Sequence, residues 1–281
     1  MRNAASALPE ESALKTRIIS GAVLAVILVA VLFFGGLPLL IALLFCSLVG
    51  MYEVDRALGA VTEEKKMTPV AAAGLISAVL LYVVLFFKGD AWYGEIGALA
   101  VVLIMGTYVA AFSVTDSSQT VASVFSFFYV AYILGFIYLL RAGENGLIHV
   151  IPVFLSSWIA DTCAYFTGMK FGKHKMTPVL SPKKTLEGAA GGILGAAAAG
   201  LLFAFFADRE HLWQYPLICA AASVISIFGD LAASAIKRDR EIKDYGKLIP
   251  GHGGIMDRFD SVIFTAPVIY FLTKLLMASG V

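Results

Sequence analysis

Four aspartates are the residues of this sequence whose type and spacing could support catalysis. Asp161 and Asp230 each lie within an apolar stretch, and Asp257 and Asp260 follow three residues apart, which puts them on one face of a helix. An ionisable residue inside an apolar segment is costly and usually faces a protein interior or a watery cavity. For either buried acid taken alone, a structural aspartate paired with a nearby lysine or arginine is the alternative interpretation.

A charged loop lies beside these acids, in residues 234–260. Aspartate oxygens suit Mg²⁺, which takes one or two carboxylates and completes its shell with water and substrate phosphate oxygens. Lysines and arginines neutralise further phosphates. Gly251, Gly253 and Gly254 around His252 would let the backbone approach a polyphosphate, and the helix that follows would offer its positive end. Taken singly this is an ordinary tight turn, but beside the acids it predicts a phosphoryl- or nucleotidyl-transfer site.

A second basic loop covers residues 170–186. Ser181 and Pro182 predict the N-cap and first residue of the next helix, which would direct free N–H groups at an anion together with Lys183 and Lys184. The alternative is that the lysines only fix the orientation of the chain and meet anionic lipid headgroups. From this loop alone, that alternative is favoured.

The elements that position these residues are predicted to be membrane helices. The chain has 281 residues, of which 59% are hydrophobic, and its mean hydropathy is +0.85. A crossing needs about 20 apolar residues in a helix, because the backbone must satisfy its own hydrogen bonds there. The sequence therefore predicts an all-α polytopic membrane protein with about nine spans, at residues 17–34, 37–52, 68–87, 95–112, 118–140, 147–168, 187–207, 215–236 and 258–277.

The distribution of basic residues predicts the orientation of these spans. With the N-terminus cytoplasmic and the C-terminus outside, 17 of the 21 Lys and Arg residues fall on the cytoplasmic side, as the positive-inside rule expects. The remaining four are Lys88, Arg141, Arg209 and Lys274. No small-residue cleavage pattern follows the first span, so no removed signal peptide is expected. All four aspartates then lie near the cytoplasmic boundary of an integral plasma-membrane protein.

The two halves of the chain differ in their polar content. Residues 1–115 predict a transmembrane scaffold without chemistry, and residues 116–281 predict a catalytic half with both basic loops. Glycines at a spacing of four near the start of the seventh span predict close helix packing. The three cysteines, Cys46, Cys163 and Cys219, lie in apolar runs and are expected to be buried free thiols.

The run from Ser234 to Asp260 closely resembles the signature of the phosphatidate cytidylyltransferases, also called CDP-diacylglycerol synthases. The shorter runs at Ser181–Gly188 and Asp161–Gly168 resemble the same family, whereas the first half resembles it only as a set of membrane spans. The resemblance implies an all-helical fold and transfer of the cytidylyl group of CTP to phosphatidate, with Mg²⁺, on the cytoplasmic side. The products would be pyrophosphate and CDP-diacylglycerol for phospholipid biosynthesis.

The resemblance also implies roles for individual residues. It makes Asp230 and Asp257 the metal ligands, with Asp161 as a candidate to complete the metal or polar shell. Lys237, Arg238 and Lys243 are expected to hold the CTP phosphates, and Lys183 and Lys184 are expected to reach the phosphate of either substrate. The other active-site residues implied are Asp244, His252, Gly253, Gly254, Arg258 and Asp260. Expected partners are CTP, phosphatidate and membrane lipids but no nucleic acid, and a homodimer is an open alternative.

Three other functions remain open at this stage. A CTP-dependent polyprenol or phytol kinase would transfer the γ-phosphoryl group to a lipid alcohol and release CDP. An ion-coupled transporter would use Asp161 and Asp230, although transporter sites lie near the midplane between repeated halves. A structural membrane subunit would need none of these acids for any activity.

Overall fold

The computed structural model describes residues 10–62 and 66–277, with side chains from Ile18 onward. Arg2, Lys15, Arg17 and Lys65, which entered the orientation argument, lie outside the described side chains. The described helices are α1 (Glu10–Phe34), α2 (Gly36–Leu58), α3 (Pro69–Lys88), α4 (Tyr93–Ala110), α5 (Ser117–Ser126), α6 (Ile133–Ala142), α7 (Gly146–Phe154), α8 (Ala160–Phe171), α9 (Leu186–Ala207), α10 (Gln214–Asp239) and α11 (Met256–Met277).

The all-α membrane architecture is confirmed, apart from one short hairpin. Within the described residues, eight helical segments are long and apolar enough to cross a membrane, and the apolar part of α1, Ile18–Phe34, is a shorter candidate. Each of the nine predicted segments corresponds to one of these helices or to a pair joined end to end. The number of nine spans and the orientation of the chain in the membrane stay predictions.

Two of the long segments contain a turn of π-helix. Phe127–Tyr132 joins α5 to α6, and Leu155–Ile159 joins α7 to α8. Pro152 lies just before the second π segment and lacks the N–H that a regular helix would use there. Such π turns rotate the side chains that follow them and often occur at functional sites. Here the second one immediately precedes Asp161.

The glycines of α9 pack against α8, as their spacing predicts. A Cβ atom on Gly188 would lie 2.9 Å from the carbonyl oxygen of Ala164, and one on Gly192 would lie 2.8 Å from that of Ala160. Both distances are shorter than a carbon–oxygen contact allows, so the helices can approach this closely only without side chains. The predicted free thiols are also confirmed: Cys219 is buried, and Cys46 and Cys163 are partly buried.

The predicted helix start at Ser181 and Pro182 is wrong. Lys175–Thr177 forms strand β1 and Ser181–Thr185 forms strand β2, an antiparallel hairpin. The helix begins at Leu186, and its N-cap is Thr185, whose hydroxyl accepts a hydrogen bond from the Gly188 N–H at 3.1 Å. Strand pairing keeps the chain extended through Pro182, so the free N–H groups expected beside Lys183 and Lys184 are not there.

Candidate active site

Eight of the predicted site residues line a cavity of about 800 Å³ between α1, α2, α7 and the adjoining ends of α8, α10 and α11. The polar residues that line it are Asp161, Asp230, Lys237, Asp244, His252, Asp257, Arg258, Asp260 and Ser261. The structure therefore brings the four aspartates together, as their places in the sequence predict. Apolar residues of α1, α2 and α7 form the other wall of the cavity, among them Leu24, Leu28, Leu39, Leu43 and Phe154.

Asp230 projects into the cavity from a polar stripe on α10. Its Oδ2 lies 2.5 Å from Nζ of Lys184 in β2, and its Oδ1 accepts a weak hydrogen bond from Ser234 at 3.4 Å. Strand residues alternate between two faces, which explains why Lys184 reaches the acid whereas Lys183 is exposed. The hairpin thus supplies one lysine to the site.

Asp257, at the start of α11, is almost fully enclosed. Its side chain is 3% exposed, and its Oδ1 accepts a hydrogen bond from Lys237 at 2.9 Å. Its Oδ2 accepts from the backbone N–H groups of Tyr245 at 2.8 Å and Gly254 at 3.0 Å. Oδ2 therefore holds the loop of residues 240–255, the α10–α11 loop, at the start of α11, while Oδ1 joins α11 to α10 through Lys237.

Asp161 and Asp260 complete a cluster of negative charge around Asp230. The Asp230 charge acts on both carboxylates, and Lys184 and Lys237 lie close enough to offset part of it. Asp260 is held by the backbone N–H of its neighbour Ser261 at 2.8 Å. The arrangement places three carboxylates and two lysines at one end of the cavity.

Tyr245 anchors the middle of the α10–α11 loop. Its side chain is fully buried, and its hydroxyl donates to the carbonyl oxygen of Ala233 on α10 at 3.0 Å. Burial, with a further contribution from the charges of Asp257 and Asp260, raises the pKa of the Tyr245 phenol. The phenol therefore stays protonated and remains a hydrogen-bond donor at neutral pH.

At the start of α11, which was expected to offer its positive end to a polyphosphate, two N–H groups are already bonded to a carboxylate of the first half, and the contact with a polyphosphate stays a prediction. The Ile255 and Met256 N–H groups donate to the carboxylate of Glu53 in α2, at 3.2 and 2.9 Å. Gly253 adopts a φ of +90° and leaves room for the Asp257 carboxylate, while Gly254 lies against Glu53. Both glycines thus have a structural reason to be glycine, and their contact with a nucleotide stays a prediction.

Among the described side chains, three polar residues of the first half contact this loop. The sequence had predicted that half to be a scaffold without chemistry. Besides Glu53, Arg56 donates to the carbonyl oxygen of Tyr245, and Ser20 Oγ lies 2.9 Å from Nδ1 of His252. The one available signal was an acid and an arginine at the end of an apolar run, a pattern that an ordinary span boundary also produces.

Other predicted residues are not part of the cavity wall. Arg238, Lys243 and Lys183 are exposed and do not line it. Their predicted contacts with substrate phosphates stay predictions. Lys184 and Lys237 are the two predicted lysines that the structure places on the carboxylates.

The carboxylates of the cavity suit a hard cation that takes its remaining ligands from the phosphates of a bound substrate. Within the described residues, no three His, Cys, Asp or Glu side chains stand together as a ready-made metal site. Mg²⁺ does not require one, since it is held through one or two carboxylates plus phosphate oxygens and water. Asp230, with its side chain 30% exposed on the cavity, fits this role, whereas Asp257 would have to exchange its contact with Lys237.

Comparison with known proteins decides the family. The sequence profile described as the cytidylyltransferase family matches residues 15–276. The chain belongs to this family. A protein of Bacillus subtilis named phosphatidate cytidylyltransferase is 34% identical over 274 residues, covering 93% of this chain and 98% of the relative. Proteins of the same name from Staphylococcus epidermidis and Staphylococcus aureus are 31% and 30% identical over 263 residues.

These matches extend the likeness beyond the second half of the chain. The family profile begins at residue 15, before the first apolar segment, and ends within α11. The similarity that sequence motifs placed in residues 161–260 therefore includes the first-half helices that contact the site. The chain is accordingly a membrane enzyme of the nucleotidyltransferase class.

Proposed function

We propose that this enzyme transfers the cytidylyl group of CTP to phosphatidate, giving CDP-diacylglycerol and pyrophosphate. The observation that carries the proposal is a single cavity lined by acids, Lys237 and Arg258 at one end and by an apolar wall on the other side. The polar end suits the phosphates of both substrates, and the apolar wall suits acyl chains. The names of the relatives, together with the family match, favour phosphatidate as the lipid.

The residues of the cavity have separate roles in this proposal. Lys184 and Lys237, now paired with Asp230 and Asp257, would exchange these carboxylates for substrate phosphate oxygens. Asp230, with Asp257, Asp161 and Asp260 as the other candidate ligands, would hold Mg²⁺. When bound, the ion would neutralise the charge of the phosphates between which the group is transferred.

The reaction is proposed to be a direct displacement. A phosphate monoester has a second pKa near 6, so the phosphatidate headgroup is largely a dianion at neutral pH. One of its oxygens forms a bond to the α-phosphorus of CTP, and the bond from that phosphorus to the bridging oxygen breaks to release pyrophosphate. No proton has to be removed from the nucleophile, so the chain needs to position and neutralise charge and not to supply a general base.

The proposed membrane arrangement puts this chemistry on the cytoplasmic side. Nine spans with a cytoplasmic N-terminus would place the β1–β2 hairpin and the α10–α11 loop on the same side, where CTP is available. The ion pair of Lys184 with Asp230 joins the hairpin to the half of α10 that leads into this loop, which supports such an arrangement.

The polyprenol kinase and transporter alternatives make different use of the same cavity. A kinase acts on the γ-phosphorus and releases CDP, while a transporter moves its substrate without CTP. The family match favours cytidylyl transfer over both, and product analysis separates the three.

Substitution of the acids tests the assignment of the site. Asp230→Asn and Asp257→Asn are each expected to lower the turnover of CDP-diacylglycerol formation by roughly 100-fold or more, since preorganised charge is lost. Asp239→Asn is the matched control, because Asp239 lies on the same helix as Asp230 but is exposed and, among the described side chains, pairs with its neighbour Arg240. Near-normal turnover in both site variants, with the proteins folded, would refute the assignment.

A further inference from the structure

We infer that Glu53, in the first half of the chain, is a positioning residue that fixes the α10–α11 loop and the start of α11. The inference rests on the proposed function, since it concerns the same cavity. Glu53 is 4% exposed and does not line the cavity. It therefore acts through the residues that do, chiefly Asp257 and His252.

The contacts of Glu53 reach the loop from a distant part of the sequence. Oε1 accepts from the Ile255 N–H at 3.2 Å and Oε2 from the Met256 N–H at 2.9 Å, across about 200 positions of chain. These N–H groups belong to the start of α11, where a helix leaves donors without intrahelical partners and where a negative charge is stabilised. A bidentate carboxylate fixes both the position and the direction of this helix start.

Glu53 has a second contact of a different kind with the same loop. The three atoms nearest to a Cβ atom on Gly254 would all belong to the Glu53 carboxylate, and a Cβ atom on Gly246 would meet the same carboxylate first. Two loop glycines therefore leave the space that Glu53 fills. One turn further along α2, Arg56 donates to the carbonyl oxygen of Tyr245, so α2 holds the loop on both sides of its exposed segment.

This arrangement couples Glu53 to the aspartate at the site. The Gly254 N–H donates to Asp257, and the residues just after Gly254 donate to Glu53. Between Tyr245 and Gly254, which both donate to Asp257, the loop is exposed at Lys247, Leu248, Pro250 and Gly251. Without Glu53, the segment that carries His252 and Asp257 would lose the two hydrogen bonds at the start of α11 and would keep those with Lys237, Tyr245 and Ser20.

The first test compares substitutions of Glu53 in the full-length protein. Glu53→Ala is expected to lower kcat and raise KM for CTP, with a combined loss of about 100-fold, because a displacement of about 1 Å has that effect on catalysis. Glu53→Gln should recover part of this loss, since its amide oxygen still accepts one N–H. Glu95→Ala, at an exposed position on α4, is the control. If the folded fraction of Glu53→Ala has wild-type kcat and KM, the positioning role is refuted.

The second test uses the glycine that faces Glu53. Gly254→Ala alone should cost activity and lower the unfolding temperature, because its methyl group meets the carboxylate. Combined with Glu53→Ala, it should add less than about threefold, since neighbouring residues that share a contact are not additive. A double variant whose losses equal the product of both single losses would contradict the inference.

These measurements separate this inference from the proposed function. If the wild-type protein forms no CDP-diacylglycerol, the proposed function fails. The coupling of Glu53 with Gly254 in the unfolding temperature would still be measurable, and its absence would refute the contact on which the inference depends.

Discussion

At the scale of single residues, the site is defined by which lysine neutralises which acid. Lys184 pairs with Asp230 and Lys237 pairs with Asp257, and the two lysine side chains are 25% and 15% exposed. Each of these lysines can exchange its carboxylate partner for a substrate phosphate. Solvent screens such an interaction less in a partly enclosed place than it screens an ion pair on the open surface. The chemistry therefore depends on a few charges within the cavity and not on the total basic charge of the loops.

The two neighbouring lysines of β2 provide a direct comparison. Lys184→Gln is expected to lower kcat/KM by about tenfold or more, because a charge-assisted hydrogen bond is worth about 1.5–3 kcal/mol. Lys183→Gln, one position away on the other face of the strand, should have a clearly smaller effect. Steady-state kinetics with varied CTP and phosphatidate measure both. Equal losses would mean that overall charge and not the Asp230 contact matters.

A pH-dependent contribution to stability is expected at Asp90, in the turn between α3 and α4. Hydrogen bonds from Lys274 at 2.9 Å and Tyr270 at 3.1 Å lower the pKa of this carboxyl below its ordinary value. A lowered pKa contributes stability above the unfolded-state pKa, and this contribution is lost as the pH falls through the folded-state pKa. The pair is more than half exposed, so we expect less than about 1 kcal/mol.

The measurement compares Asp90→Asn with the wild-type protein in thermal unfolding across pH. The unfolding temperature of the variant should be slightly lower at neutral pH, and the two should converge below the ordinary aspartate range of about pH 4. A difference that grows on acidification would contradict the assigned direction of the pKa.

At the scale of elements, helix contacts explain which parts of the architecture were predictable. Apolar length identified the helices, and the glycine spacing of α9 identified its close packing, because both patterns are local. The start of α9 was misplaced because Ser181 and Pro182 satisfy a helix-start pattern equally well when strand pairing extends them. The π turns before Ile133 and Ala160 leave no periodic signal, since they arise from packing between helices.

The interface of α8 and α9 can be tested by adding side-chain volume. Gly192→Val is expected to destabilise the fold by about 1–3 kcal/mol, because overpacking forces the helices apart at the Ala160 carbonyl. Ala198→Val, on an exposed face of the same helix, is the control and should change little. Thermal unfolding in detergent measures both variants. An unchanged unfolding temperature for Gly192→Val would mean that the two helices do not pack this closely.

At the scale of the whole molecule, the two halves of the chain form one site. The motifs in residues 161–260 predicted the acids and the enzyme family, because their residues stand at fixed spacings within short stretches of sequence. Glu53, Arg56 and Ser20 were not predicted, since their partners lie about 200 residues away in the sequence and nothing local distinguishes them from a span boundary. The division of the chain into a scaffold half and a catalytic half stays a prediction. The contacts of Glu53, Arg56 and Ser20 join the two halves.

The proposed orientation gives a separate whole-molecule prediction. In a variant lacking the three native cysteines, a cysteine at Val179, on the exposed connection between β1 and β2, should react with an impermeant thiol reagent only from the cytoplasmic side. A cysteine at Glu144, in the exposed turn after α6, should react only from the opposite side. Labelling of both from one side would exclude the proposed nine-span arrangement.

The central claim is that this cavity joins the cytidylyl group of CTP to phosphatidate. The most direct measurement gives purified protein phosphatidate, Mg²⁺ and CTP labelled either at the α-phosphorus or in the β,γ-phosphates, and identifies the labelled products. We expect the label of the α-phosphorus to appear in CDP-diacylglycerol and the label of the β,γ-phosphates to appear in pyrophosphate. Asp230→Asn should give neither product. Transfer of the γ-phosphate to a lipid with release of CDP, or no lipid product at all from folded wild-type protein, would contradict the central claim.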